Sequence, residues 1–140
     1  MGEKEKGGKG EEGKREKGEE DLDALRGAVI GCCIAVHKEL GPGFLESVYH
    51  RALEIELAHN NIPFETQKEI AVSYRGHHVG IHRLDLLIDE RLTVELKTVE
   101  RLNREHYAQV RSYLKAVGQM VGLLVNFAVI PVDVRRVELQ

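Results

Sequence analysis

Aromatic residues are scarce in this chain, 5% with no tryptophan, and only 42% of its 140 residues are apolar. That allows one modest hydrophobic core and no second domain of ordinary size. The two cysteines, Cys32 and Cys33, are adjacent, which excludes a disulfide framework and the Cys-x-x-Cys spacing of zinc and redox sites and leaves buried reduced thiols. No apolar run approaches the roughly 18 residues of a membrane span, and the start is charged where a secretory leader is apolar. A soluble, cytoplasmic protein without membrane contact is expected. A basic excess is also missing: 20 Lys and Arg face 23 Asp and Glu, for a formal charge of -3. Bulk charge therefore cannot hold nucleic acid, and any such contact must be local.

Residues 1–20 contain only Met, Gly, Glu, Lys and Arg, too little apolar surface to offset the entropy of ordering, so they are predicted to form a disordered, solubilising tail ahead of a domain at 21–140. Asp21 and Asp23 suit a helix start, followed to about residue 40 by Leu22, Leu25, Val29, Cys32, Cys33, Val36 and Leu40 at three- and four-residue spacing. Gly41-Pro42-Gly43 breaks the chain, and a second helix is predicted over 44–59 with Leu45, Val48, Tyr49, Ala52, Leu53 and Leu57 inward. From Glu65 the period becomes two, giving strands either side of Arg75-Gly76-His77, then an antiparallel partner over 92–99 beyond Asp89-Glu90-Arg91. Asn103 is a candidate cap for a third helix to Val117, with Leu102 and Tyr107 as its hydrophobic staple. Met120 to Ile130 reads as a buried strand and Val132 to Leu139 as an edge strand. The order ααβββαββ implies an α/β (α+β) sandwich with a mixed sheet.

Polar residues interrupt otherwise apolar strands at Arg83, Asp85, Glu95 and Lys97. Placing Ile88 opposite Leu92 brings Leu86 opposite Val94 and Leu84 opposite Leu96 on one buried face, and pairs Asp85 with Glu95 and Arg83 with Lys97 on the other. Opposed carboxylates repel, the more so when partly buried, and call for a positive group. A hard divalent cation suits them, and the Lys97 ammonium beside it can align a water and offset charge on a phosphoryl group. A solvated salt-bridge ladder is the alternative. Glu46 is a partly buried acid on the flank of the second helix shared with Leu53 and Leu57, while Gln109, Tyr113 and His106 share a flank of the third helix that can reach the hairpin. Ordinary boundary packing is the alternative for these.

Together these residues resemble the GxxExxY protein family, whose motif stands here as Gly43-Phe44-Leu45-Glu46-Ser47-Val48-Tyr49. That family is similar to a small branch of the PD-(D/E)XK nuclease superfamily. The resemblance implies a restriction-endonuclease-like fold with Asp85 as the motif Asp, Glu95 as the second acid and Lys97 as the motif Lys. Gln109-x-x-x-Tyr113 is similar to the signature of RecB-type nuclease domains, and Glu46 would correspond to an added first-helix acid. Leu84 stands where the motif has proline, a position that supplies no ligand. The implied activity is Mg²⁺- or Mn²⁺-dependent hydrolysis of DNA or RNA, with Asp85, Glu95 and Glu46 at the metal and Lys97, Gln109 and Tyr113 acting on water and phosphate. A non-catalytic module serving oligomerisation, nucleic-acid binding or a protein partner is the rival, since one fold hosts many functions.

Four other signals point elsewhere. Arg104, Arg111 and Lys115 align on the third helix nearly opposite Gln109 and Tyr113, which suggests a solvated face. His77, His78 and His82 lack a second ligand cluster for zinc, Tyr49 lies on an apolar stripe as a core residue would, and Gly41-Pro42-Gly43 lacks the strand and Lys of a phosphate loop.

Overall fold

A computed structural model of the chain describes the backbone of residues 7–139 and the side chains of residues 18–139. Its elements are α1 (Gly7–Leu40), α2 (Glu46–His59), β1 (Phe64–Tyr74), β2 (His77–Ile88), β3 (Leu92–Lys97), α3 (Arg104–Val117), β4 (Val121–Asn126) and β5 (Asp133–Glu138), in the order that periodicity implies. The five strands form one mixed sheet in sequence order, antiparallel except for the β3–β4 pair. That parallel pair requires a crossover, which α3 supplies.

Parity along the strands decides which helix each residue meets. Leu92, Val94 and Leu96 of β3 and Leu123 and Val125 of β4 pack on Val29, Cys32, Cys33 and Val36 of α1 and Tyr49, Leu53 and Leu57 of α2. Leu124 and Val137 face Val110 and Leu114 of α3 on the other side. The thiols are buried and unpaired, and burial pushes Cys33 up to about 12. In α3, Asn103 caps the first turn through its side chain, His106 closes the capping box, and Leu102 and Tyr107 pack on the α3 cluster as a staple would. Both hairpin turns place successive residues at positive φ, Arg75 and Gly76 at 50° and 79°, Asp89 and Glu90 at 50° and 61°, the twist that type I′ turns share with the strands they join.

Several boundaries differ from expectation. The helix α1 begins at Gly7, whereas the sequence places its start at Asp21 after an unstructured tail. Glu, Lys and Arg favour helix, and a helix anchored by packing further along extends by propagation without a new nucleus or core. Asp21 and Asp23 are thus interior positions and cap nothing; residues 1–6 of the expected tail lie outside the described residues. Leu45 and Val48, expected inward, are exposed, because α2 starts at Glu46 and turns the stripe of Tyr49, Leu53 and Leu57 to the core. Strand β4 stops at Asn126 rather than continuing to Ile130: the Asn126 side chain bonds the N–H and C=O of Val99 and the N–H of Ala128, closing a turn there.

Gly122 is the tightest point of the α3 contact. A Cβ there would lie 3.0 Å from the Thr93 carbonyl oxygen and 3.1 Å from Leu114 Cδ2. Gly122→Ala is expected to lower unfolding stability by about 1–2 kcal/mol in urea titration, since backbone rather than a mobile side chain must give way.

Candidate active site

The antiparallel ladder between β2 and β3 pairs Ile88 with Leu92, Leu87 with Thr93 and Leu86 with Val94, the register that hydrophobic matching predicts. Beyond Leu86 the strands part. The Asp85 N–H donates to Glu95 Oε2 at 2.9 Å, and the Leu96 N–H donates to Asp85 Oδ2 at 2.9 Å. Each carboxylate takes the acceptor role that a ladder carbonyl has elsewhere, and holds the two backbones a side chain's length apart. Leu84 consequently does not join Leu86 and Leu96 in one layer; it packs with Leu87 and Tyr113 towards α3. Arg83 does not meet Lys97 either, because Glu69 on the other neighbouring strand takes its guanidinium at 2.8 Å. The salt-bridge ladder is therefore not formed.

Asp85 and Glu95 are in mutual contact, and Glu95 is 3% exposed. Burial first, then the Asp85 charge and hydrogen bonding between the two carboxyl groups, push Glu95 up to about 9, against the Lys97 charge and the bond from the Asp85 N–H. Lys97 projects on the same side of β3 as Glu95. Its Nζ donates to Gln109 Oε1 at 3.0 Å and makes no ion pair among the described residues. Tyr113, one turn beyond Gln109 on α3, has its hydroxyl pKa raised by burial and by the charges of Glu95 and Asp85, and its ring meets that of His82 edge-on at 4.4 Å. Glu46, at the first turn of α2, is raised by burial and by Asp85, with Lys97 and His50 opposing. Asp85, Glu95, Lys97, Gln109 and Tyr113 thus gather where β2 and β3 separate, while Glu46 lies within electrostatic reach of Asp85 and Lys97 without joining the two acids as a third member of one group. His106, on the same flank of α3, is engaged in the helix cap instead: its Nδ1 accepts from the Asn103 N–H.

Sequence reasoning missed His50. Buried in α2, it donates through Nε2 to the Asp85 carbonyl at 3.1 Å, while its Nδ1 faces Glu54 Oε2 at 2.9 Å. Gln67, opposite Asp85 on β1 by register, has φ 53° and its amide lies 3.4 Å from the same Nε2. A non-glycine residue in that region costs about 1 kcal/mol or more, so the strain sits in β1 at Gln67, beside the His50 ring that holds the Asp85 carbonyl. A lone histidine beside Tyr49 carries no sequence signal of this.

The heptapeptide 43–49 acquires a physical meaning. Gly43 turns at φ 113°, Glu46 opens α2, and the buried Tyr49 hydroxyl donates to the Gly41 carbonyl and accepts from the Phe44 N–H, tying the loop back to the helix that carries Glu46. Tyr49 also stacks on Phe127 at 4.7 Å. Tyr49→Phe keeps the stacking and loses both hydroxyl bonds; unfolding by urea is expected to show a loss of about 1–2 kcal/mol.

Two carboxylates, each with one oxygen not engaged by backbone, form a hard oxygen donor set beside an ammonium. Among the described residues no group of three or more His, Cys, Asp or Glu side chains is arranged to hold a metal. The donor chemistry nonetheless fits Mg²⁺ or Mn²⁺, since Mg²⁺ typically takes one or two carboxylates and keeps its waters.

The model of the PD-(D/E)XK nuclease superfamily matches residues 23–137. The chain belongs to that superfamily. Among solved structures, the crystal structure of SSO0001 is similar in fold, with a TM-score of 0.54 and 23% identity over 66% of this chain and 49% of that one. The chain thus spans about half the length of that relative. No curated protein matches. Among the described residues no helix is long and apolar enough to cross a membrane.

Proposed function

We propose that this member of the nuclease superfamily hydrolyses phosphodiester bonds in DNA or RNA with Mg²⁺ or Mn²⁺. The observation that carries the reading is the pair of half-buried Asp85 and buried Glu95, with the Lys97 ammonium beside it free of any ion pair among the described residues. Asp85 and Glu95 would hold the ion, with Glu46 as an auxiliary ligand or water-positioning acid. When bound, the ion supplies Lewis acidity at the phosphate and charge compensation for the two acids. Lys97 aligns the attacking water and offsets negative charge as it grows on the phosphoryl oxygens, a role that strengthens in a poorly solvated site. Gln109 fixes the Lys97 ammonium, and Tyr113 presents its hydroxyl to the substrate phosphate. Within the superfamily, the heptapeptide around Glu46 supports placement in the GxxExxY branch.

A second reading, a non-catalytic nuclease-fold module for oligomerisation, nucleic-acid binding or a protein partner, draws on the lack of a three-ligand group among the described residues and on the net charge of -3. Incubation of the full chain with single- and double-stranded DNA and RNA in Mn²⁺ decides between them. Cleavage that EDTA abolishes supports the enzyme. No cleavage of any substrate, with no calorimetric Mn²⁺ binding, supports the module.

A further inference from the structure

Arg111, half-buried, and Lys115, exposed, belong to the solvated face that helical geometry suggests. With Ser112 they make one wall of a cleft of about 690 Å³ between α3 and the outer half of the β1–β2 hairpin, which contributes Ser73 and His82 to the opposite wall. Ala108 and Ala116 of α3, with Ala71 and Val72 of β1, add small apolar surface to its lining. Neither Arg111 nor Lys115 makes an ion pair among the described residues. Cations without an acid partner that line a cleft are available to an anionic ligand.

His82 connects this cleft to the acids. One side of its ring meets Tyr113, which packs on Leu84, the residue next to Asp85. The same ring borders the cleft. A polymer leaving the acids past the edge-on pair of His82 and Tyr113 would enter the cleft next.

We infer that this cleft is a subsite for one or two nucleotides of a single-stranded nucleic acid, flanking the phosphate at the acids, with Arg111 and Lys115 on its phosphates and His82 against a base. The assignment rests on the nuclease reading above and adds a substrate class to it. A volume of this size falls in the range of small-ligand pockets and suits an unstacked nucleotide better than a duplex, whose bases are stacked inside and whose outer surface offers only backbone and groove edges. A single strand presents a separate base to an aromatic ring and small apolar side chains while its phosphates meet the cationic wall. With a net charge of -3, the chain has no general attraction for polyanions, so affinity must come from such a local set.

The test is binding without divalent ions, in EDTA, so that it does not depend on hydrolysis. Fluorescence anisotropy is read with the full chain and twelve-nucleotide oligo-dT, oligo-U and a duplex of equal length. Expected is binding of at least one single strand about tenfold or more tighter than the duplex, with the arms separating DNA from RNA. Arg111→Glu with Lys115→Glu is expected to lower that affinity at least tenfold and to reduce the salt slope by about 1.4, two phosphate contacts on a single strand. His82→Ala is expected to lower it about fivefold or more with the slope unchanged. The matched reversal Lys38→Glu with Arg91→Glu, away from the cleft, serves as control. Unchanged affinity in the Arg111/Lys115 variant, an equal loss in the control, or a duplex bound as tightly as either single strand would overturn the assignment. Binding as expected with no cleavage in Mn²⁺ would count against the acids as a catalytic site and leave the cleft standing.

Discussion

Replacement of Lys97 by alanine is expected to lower kcat by about 10²–10³ with little change in KM, the signature of a group that acts on the transition state rather than on bound substrate. The geometry sets this size. Lys97 lies beside the Asp85–Glu95 pair, and its hydrogen bond is with the neutral Gln109 amide rather than with an acid, so among the described residues its positive charge is not spent on an ion pair. Lys97→Arg restores charge but not shape, because a planar guanidinium cannot occupy the place of a compact ammonium, and it is expected to recover only a small part of the loss. Gln109→Ala removes the group that orients Lys97 and is expected to lower kcat by about tenfold. Kinetics on whichever substrate is cleaved, with circular dichroism to show that the fold persists, checks all three. A Lys97→Ala protein with unimpaired kcat would remove Lys97 from the chemistry.

Divalent-ion affinity is expected to rise steeply with pH, by up to tenfold per unit through the neutral range. Glu95 holds its proton up to about pH 9 in the ion-free protein, and an ion that takes the carboxylate must displace that proton. Calorimetry in two buffers of different ionisation enthalpy should show close to one proton released per Mn²⁺. The same group ties folding stability to pH in the opposite sense. Its pKa in the folded chain lies above the ordinary carboxylate value of 4.5, so the native state binds the extra proton. The stability contributed is fully present below about 4.5 and is lost as pH rises towards 9, by at most about 1.4 kcal/mol per pH unit. Glu46 is shifted in the same direction. Thermal melts in EDTA should therefore fall between pH 5.5 and 8.5, and Mn²⁺ should raise the melting temperature more at 8.5. Glu95→Gln, which keeps an acceptor for the Asp85 N–H, is expected to flatten the EDTA curve, add about 2 kcal/mol near pH 8, and abolish the response to Mn²⁺. A melting curve independent of pH would mean that Glu95 is ionised in the fold.

The order of helices and strands was legible because apolar spacing switches cleanly between three or four and two, and because Gly41-Pro42-Gly43, Pro63 and the hairpin turns mark the joints. The extent of α1 was not, since helix propagation over Glu, Lys and Arg leaves no trace in burial. Asp85, Glu95 and Lys97 stood out as polar interruptions of apolar strands, and parity put Glu95 and Lys97 on one side. The parting of β2 from β3 at that point depends on side-chain bonds to backbone N–H groups, which periodicity does not encode. Arg83 was paired with the wrong strand because Glu69 opposes it across β1, a neighbour that a hairpin considered in isolation omits. His50 matters only through Gln67 and Asp85, 17 and 35 residues away, and nothing local announces it.

Asp85 and Glu95 fasten β2 to β3 where ordinary rungs are missing, so architecture alone gives a chain of this shape reason to keep both. A descendant that had abandoned turnover would still be punished for discarding either one. Lys97 has no comparable part in cohesion, and its identity, more than that of the acids, would tell a working catalyst from a retired one.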